Sequence, residues 1–76
     1  MAREKDTMTL HLLDEVPNLQ IGQTLEYVKG SFGYNNLGLM RKAIRRRLYT
    51  YFPAHNIGCE RVYESPRAFV RITRTA

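Results

Sequence analysis

One stretch of the chain, residues 36–52 with the sequence NLGLMRKAIRRRLYTYF, combines its longest apolar periodicity with its densest positive charge. Apolar side chains recur there at spacings of three and four residues, the period of a single buried helix face. They are Leu37, Met40, Ile44, Leu48 and Tyr51. The opposite face carries Lys42, Arg46 and Tyr49. The pattern predicts a long amphipathic helix whose outer face is basic.

Both ends of this helix are marked in the sequence. The side chain of Asn35 or Asn36 can accept hydrogen bonds from the free amide groups of the first turn, which favours either residue as the N-cap. Pro53 cannot donate to the helical ladder and disfavours a helical conformation at Phe52. We therefore expect the helix to end immediately before Pro53.

The net charge of +5 is unevenly distributed along the chain. Residues 1–38 carry three basic and five acidic groups, whereas residues 39–76 carry nine basic and two acidic groups. All but one of those nine are arginine, whose planar fork fits phosphates and base edges. A one-sided basic field is typical of a nucleic-acid-binding surface, but it also suits an acidic protein partner or a solvated face that serves only solubility.

The segments before the basic helix predict a tail, a strand, a short helix and a turn. Residues 1–6 have no apolar periodicity and predict a disordered tail. Polar and apolar residues alternate from Thr7 to Leu12, which predicts a half-buried strand. Apolar residues then recur at four and three, which predicts a short helix from Thr24 to Gly30, with Gly30 as its stop. A glycine-containing turn at residues 31–35 follows.

Two further strand patterns, at residues 59–64 and 67–73, predict a C-terminal hairpin. A two-residue connection would oppose Val62 to Phe69, whereas a three-residue connection opposes Val62 to Val70. We favour the second register because it keeps the aliphatic residues together. It predicts one basic and aromatic outer face formed by Arg61, Tyr63, Phe69 and Arg71.

Length and composition predict one small globular domain over residues 1–76, and the predicted strands and helices make it α+β. No apolar run approaches the roughly 18 residues that span a bilayer, and the N-terminus lacks an apolar signal core, so we expect a cytoplasmic protein. His55 and Cys59 are spaced like two metal ligands, but too few further ligands accompany them, and we expect neither a metal nor a cofactor. No glycine-rich phosphate loop or nucleophile and base pair is recognisable, which makes catalysis the least favoured class.

From Thr24 onward the chain resembles a winged helix-turn-helix DNA-binding domain. TLEYVKGSFG is similar to the first helix of the turn unit, NNLGLMRKAIRRRL to the recognition helix, and IGCERVYESPRAFVRITR to the hairpin, or wing. The resemblance implies a small winged-helix-like fold in the order strand, short helix, turn, long basic helix and hairpin. A helix usually precedes the turn unit in that family, whereas residues 7–12 predict a strand here.

The resemblance also implies a function, that of a small transcriptional regulator or accessory factor that binds double-stranded DNA. The basic helix would enter the major groove, and the residues nearest the base edges would be Asn35, Asn36, Arg41 and Lys42. The residues that hold phosphates would be Arg45, Arg46 and Tyr49. The residues of the wing that reach the backbone or the minor groove would be Arg61, Arg67 and Arg71.

Two other partner classes stay open at this point. A small inhibitor or adaptor would dock the same basic face on an acidic or nucleic-acid-handling protein. Tyr63 and Phe69 are also typical of sheets on which single-stranded RNA stacks, although such pairs more often shield a sheet. A chain this short would act by occupancy, and a homodimer fits that mode of action.

Overall fold

The computed structural model describes residues 6–64 and 66–76, and within them the chain forms two α-helices and three strands. The helices are α1 (Thr7–Glu15) and α2 (Leu37–Tyr51), and the strands are β1 (Thr24–Val28), β2 (Ile57–Glu64) and β3 (Arg67–Arg74). Strand β3 lies between β1 and β2 and is antiparallel to both. The fold is therefore of the α+β class. The tail predicted at residues 1–6 lies outside the described residues, except for Asp6.

Helix α2 confirms the predicted basic helix. The Oδ1 of Asn36 accepts a hydrogen bond from the Leu39 N–H at 3.0 Å, so Asn36 is the N-cap, and Phe52 is the C-cap. The residues buried on the inner face are Leu37, Met40, Ile44 and Leu48. Tyr51 was predicted to share that face but is 39% exposed, so the buried stripe ends one turn earlier than predicted.

The strand predicted at residues 7–12 is wrong, because these residues form the first part of α1. Asp6 is the N-cap of this helix, and its Oδ1 accepts a hydrogen bond from the N–H three residues later at 2.7 Å. Met8 and Leu12 are buried, whereas Leu10 between them is 56% exposed. A spacing of four residues fits both a strand and a helix, and here the cap and the packing against α2 favour the helix.

The short helix predicted from Thr24 to Gly30 is also wrong, because β1 occupies most of this segment. The sequence TLEYV is rich in the residue types that pack well on a pleated surface. Gly22 and Gly30 on either side adopt positive φ angles of 91° and 98°, which are typical of turns. Pairing with β3 then buries Tyr27 on the helix side of the sheet. The turn predicted next contains a short 3-10 segment, Ser31–Gly33.

The predicted hairpin is present, but the favoured register is wrong. Val62 pairs with Phe69, as a two-residue connection requires. Directly paired residues share one side of the sheet, and Arg61 pairs with the core residue Val70. The outer face predicted from the other register is therefore divided between two sides. Arg61 and Tyr63 lie on the side of the helices, and Phe69 and Arg71 lie on the opposite side.

Both helices pack against one side of the sheet and leave the other side without a helical layer among the described residues. The core contains Met8, Leu12, Val16, Leu19, Tyr27, Leu37, Met40, Ile44, Leu48, Val70 and Ile72. In the described part of the chain, no helix has the length and apolar content that a membrane crossing requires. The arrangement fixes α2 beside β2 and exposes the outer half of α2.

Candidate functional site

The N-terminal part of helix α2 is joined to strand β2 by hydrogen bonds and a close contact. The Nε of Arg41 donates to the carbonyl oxygen of Cys59 at 3.0 Å, and the Cys59 thiol donates to the carbonyl oxygen of Arg41 at 3.8 Å. At the start of α2, a β carbon on Gly38 would stand 3.4 Å from Nη1 of Arg61. The Arg61 guanidinium therefore lies beside the first turn of the helix.

Five cationic side chains of α2 and β2 have no carboxylate within 4.0 Å among the described residues. They form what we call the cationic face: Arg41, Lys42, Arg45, Arg46 and Arg61. Arg41 is half-buried, and the other four residues are exposed. Unneutralised charges attract anions over a distance of about 8–10 Å at physiological salt. The cationic face is therefore the strongest candidate for an anion-binding surface.

Aromatic and amide side chains lie at the two ends of the cationic face. At its C-terminal end the Tyr49 ring is 67% exposed, and the Arg45 guanidinium lies 5.6 Å from its centroid, within cation–π distance. At its N-terminal end Asn35 is exposed, whereas Asn36 uses its side-chain oxygen to cap α2. Of the two asparagines, Asn35 therefore keeps its whole carboxamide free of the helix cap.

Two arginines that sequence reasoning assigned to the same site lie on the open side of the sheet instead. Arg71 contacts Glu26 at 3.1 Å and Glu60 at 3.5 Å, so this ion-pair network spans all three strands. Arg67 approaches Glu26 at 3.8 Å. Both guanidinium groups also stack on the ring of Phe69, at 5.0 and 5.4 Å from its centroid.

We call this group of Glu26, Glu60, Arg67, Phe69 and Arg71 the paired face. Its two positive charges are matched by two negative charges. Although no helix covers it among the described residues, Phe69 is only 2% exposed, because the arginine stems and guanidinium groups cover its ring. The structure therefore separates Arg67 and Arg71 from the five residues of the cationic face.

Arg47 is a third kind of arginine, which holds α1 to α2. Its guanidinium donates to the Thr9 hydroxyl at 2.9 Å, to the Ala43 carbonyl oxygen at 2.9 Å, and to the carboxylate of Asp6. The hydrogen bond from Arg47 holds the pKa of the Asp6 carboxyl well below its usual range, and the bonds from Thr9 act in the same direction. Arg47 therefore contributes to the fold and not to the cationic face.

A cavity of about 520 Å³ lies between the C-terminal half of α2 and the start of β2. Its wall includes Arg41, Arg45, Leu48, Phe52, His55 and Cys59. The Nδ1 atom of His55 is buried and has no hydrogen-bond partner among the described residues. Burial raises the pKa of the Cys59 thiol, which disfavours the thiolate form that a nucleophile or a metal ligand requires.

Sequence reasoning missed the cavity and the role of Arg47. The residues that line the cavity extend from Arg41 to Thr75, and no local sequence pattern connects them. Arg47 left a weak signal, since it is three residues after buried Ile44 and one before buried Leu48, on the border of the apolar stripe. An arginine on that border can lay its stem along the apolar surface while its guanidinium stays at the edge of the core.

Comparisons with known proteins gave no match to this chain. No protein-family model matches the chain, and no match was found to a curated protein or to a solved structure. The function is therefore inferred from the geometry of the chain itself.

Proposed function

We propose that this protein binds double-stranded DNA through the cationic face and acts as a small regulator of transcription or DNA-accessory factor. The observation that carries the proposal is the division of the arginines. Five cations of α2 and β2 are unpaired among the described residues, whereas Arg67 and Arg71 are neutralised by glutamates. Cationic side chains without a carboxylate partner are available to neutralise the phosphates of DNA.

The order of the elements supports the proposal. Helix α1 precedes the segment that resembles a winged helix-turn-helix unit, as a helix does in that family, and β1 supplies a third strand beside the hairpin. The chain differs from the family pattern between β1 and α2. There the 3-10 turn Ser31–Gly33 takes the place of the first helix of the turn unit.

In the proposed mechanism the N-terminal half of α2 enters the major groove. Asn35, Arg41 and Lys42 would be the residues nearest to base edges, and Arg41 would reach them with its terminal nitrogens, because its Nε is bonded to β2. Asn36 would hold the first turn in place and reach a base only through its amide nitrogen. Phosphate contacts would come from Arg45, Arg46, Tyr49 and Arg61.

The test is binding of the purified protein to a pool of double-stranded DNA across a salt series. We expect binding near physiological salt, enrichment of a subset of sequences, and a log–log slope that falls by about 0.9 for each phosphate contacted. The variant Arg46→Gln should reduce the magnitude of that slope by about one unit at every sequence. Arg41→Gln should in addition relax the sequence preference.

Arg67→Gln is the matched control, because it removes the same charge from the paired face. We expect its slope to equal that of the unaltered protein. An equal loss of slope in Arg46→Gln and Arg67→Gln would contradict the proposal, because net charge and not the cationic face would then determine binding. Binding that disappears above low salt without any enriched sequence would also contradict it and would favour an acidic protein partner.

A further inference from the structure

The cavity between α2 and β2 combines an apolar floor with a cationic wall. Leu48 is buried at its base, and Phe52 and Ile57 are half-buried beside it. Its volume of about 520 Å³ lies within the range of small-molecule sites, about 300–1,000 Å³. We propose that this cavity binds a small aromatic carboxylate, with the ring on the apolar floor and the carboxylate on Arg41.

Arg41 is held in place for this role before any ligand binds. Its Nε donates to the Cys59 carbonyl oxygen, which fixes the plane of the guanidinium against β2. No hydrogen bond of its two terminal nitrogens is present among the described residues. A guanidinium with two free terminal nitrogens can bind a carboxylate through two parallel hydrogen bonds, and little side-chain entropy remains to be lost.

The charge of the cavity selects an anion. Arg45 adds a second positive charge to the wall, and no aspartate or glutamate is among the residues of the described chain that line it. A cationic ligand would therefore meet two positive charges without compensation. A neutral ligand would leave the half-buried Arg41 without a counter-charge, which an anion supplies.

The apolar and aromatic residues of the cavity favour an anion that carries an apolar ring. Phe52 and His55 lie edge to face, with 5.6 Å between ring centroids, and together they form an aromatic wall. A planar ring in contact with them removes apolar surface from water, which inorganic phosphate or a DNA phosphate cannot do. The unpartnered Nδ1 of His55 shows that this wall also has unused hydrogen-bonding capacity.

The test compares three probes by isothermal titration and by the NMR signals of the His55 ring. The probes are 2-naphthoate, the neutral 2-naphthylmethanol, and inorganic phosphate. We expect a Kd of about 1 mM or lower for 2-naphthoate. We expect at least about tenfold weaker binding of each of the other two probes, and a shift of the His55 ring signals with 2-naphthoate only.

Two variants remove the same charge from different places. Arg41→Gln should weaken 2-naphthoate binding at least about tenfold. Arg46→Gln, on an exposed residue outside the cavity wall, should change it by less than about twofold. A circular-dichroism spectrum and an unfolding curve for each variant separate loss of the site from loss of the fold.

Three results would overturn the inference. They are no binding of 2-naphthoate, equal binding of 2-naphthoate and phosphate, and equal loss of affinity in the two variants. The first result would mean that the cavity does not bind aromatic carboxylates. Either of the other two would mean that 2-naphthoate is attracted only by the general positive charge of the protein. The measurements contain no nucleic acid, so their outcome is independent of the proposed DNA binding.

Discussion

The cationic face and the paired face are built from the same residue type, yet the surroundings give their arginines opposite roles. On the paired face, Arg67 and Arg71 face glutamates across the strands and cover the Phe69 ring. On the cationic face, the arginines of α2 and β2 lack a carboxylate neighbour among the described residues. A count of basic residues therefore overestimates the charge that is free to attract a partner.

Helix α2 repeats this contrast within two adjacent residues. Arg46 points away from the sheet and is exposed, whereas Arg47 is bonded to three groups of α1 and α2. Consecutive residues in a helix are about 100° apart, which is enough to place one arginine on the exposed surface and the next in an interhelical contact. The distinction between free and paired arginines can therefore be tested with single substitutions.

The largest effect is expected from Phe69→Ala on the paired face. Phe69 is 2% exposed, so truncation removes a buried ring and leaves Arg67 and Arg71 without the surface on which they stack. We expect a loss of about 3 kcal/mol in the free energy of unfolding, measured by urea denaturation.

Tyr63→Ala is the control for this substitution, because Tyr63 is an aromatic residue of the same hairpin but is 68% exposed. It should change the free energy of unfolding by less than about 0.5 kcal/mol. A similar small change in Phe69→Ala would mean that the paired face does not contribute to stability and would remove the contrast between the two faces.

The sequence predicted an element correctly where its signals lie within one segment, and incorrectly where packing between distant segments decides the structure. Helix α2 was predicted correctly, except for the burial of Tyr51, because its cap at Asn36, the rest of its buried stripe and its stop at Pro53 all lie within one segment. Segments 7–12 and 24–30 were each assigned the wrong element, because a few apolar residues fit both helical and strand periods and tertiary packing decided between them. Such packing is not encoded within either short segment.

The positions of the candidate site residues were predicted where they follow from helix periodicity, but not where they depend on strand order. The outward position of Lys42, Arg46 and Tyr49 follows from helix periodicity alone, and the structure confirms it. The pairing of Arg71 with Glu26 joins residues 45 positions apart and depends on the order of the strands. The wrong hairpin register then assigned Arg71 to the side of Arg61, because a shift of one residue reverses the side of the sheet that a residue faces.

An intermediate effect is expected from Arg47→Ala. The substitution removes hydrogen bonds to Thr9, Ala43 and Asp6 from a partly buried contact between the helices. We expect a loss of about 2 kcal/mol in the free energy of unfolding. The neighbouring substitution Arg46→Ala should cost less than about 0.5 kcal/mol but should weaken DNA binding. The reverse order of the two stabilities would contradict the assignment of Arg47 to the fold.

The smallest effect is expected from Asp6→Asn, which removes the partner of Arg47 and keeps the arginine. Asparagine also caps a helix well, so the hydrogen bond from the Thr9 N–H should persist. Asp6 is 53% exposed, and solvent screening limits the expected loss at pH 7 to about 0.5–1 kcal/mol. Chemical denaturation of both proteins across a pH series measures this difference.

The same pair of proteins tests the sign of the pH dependence. Arg47 lowers the pKa of Asp6 in the folded state, so the carboxylate stabilises the fold above the unfolded-state pKa of about 3.9. Its contribution declines as the pH falls from there toward the lowered pKa of the folded state, where the carboxyl becomes protonated. The stability difference between the unaltered protein and Asp6→Asn should therefore narrow progressively below about pH 4. A difference that stays constant from pH 7 to the most acidic condition would mean that the Asp6 charge does not stabilise the fold, and Arg47 would then be held only by its hydrogen bonds to Thr9 and Ala43.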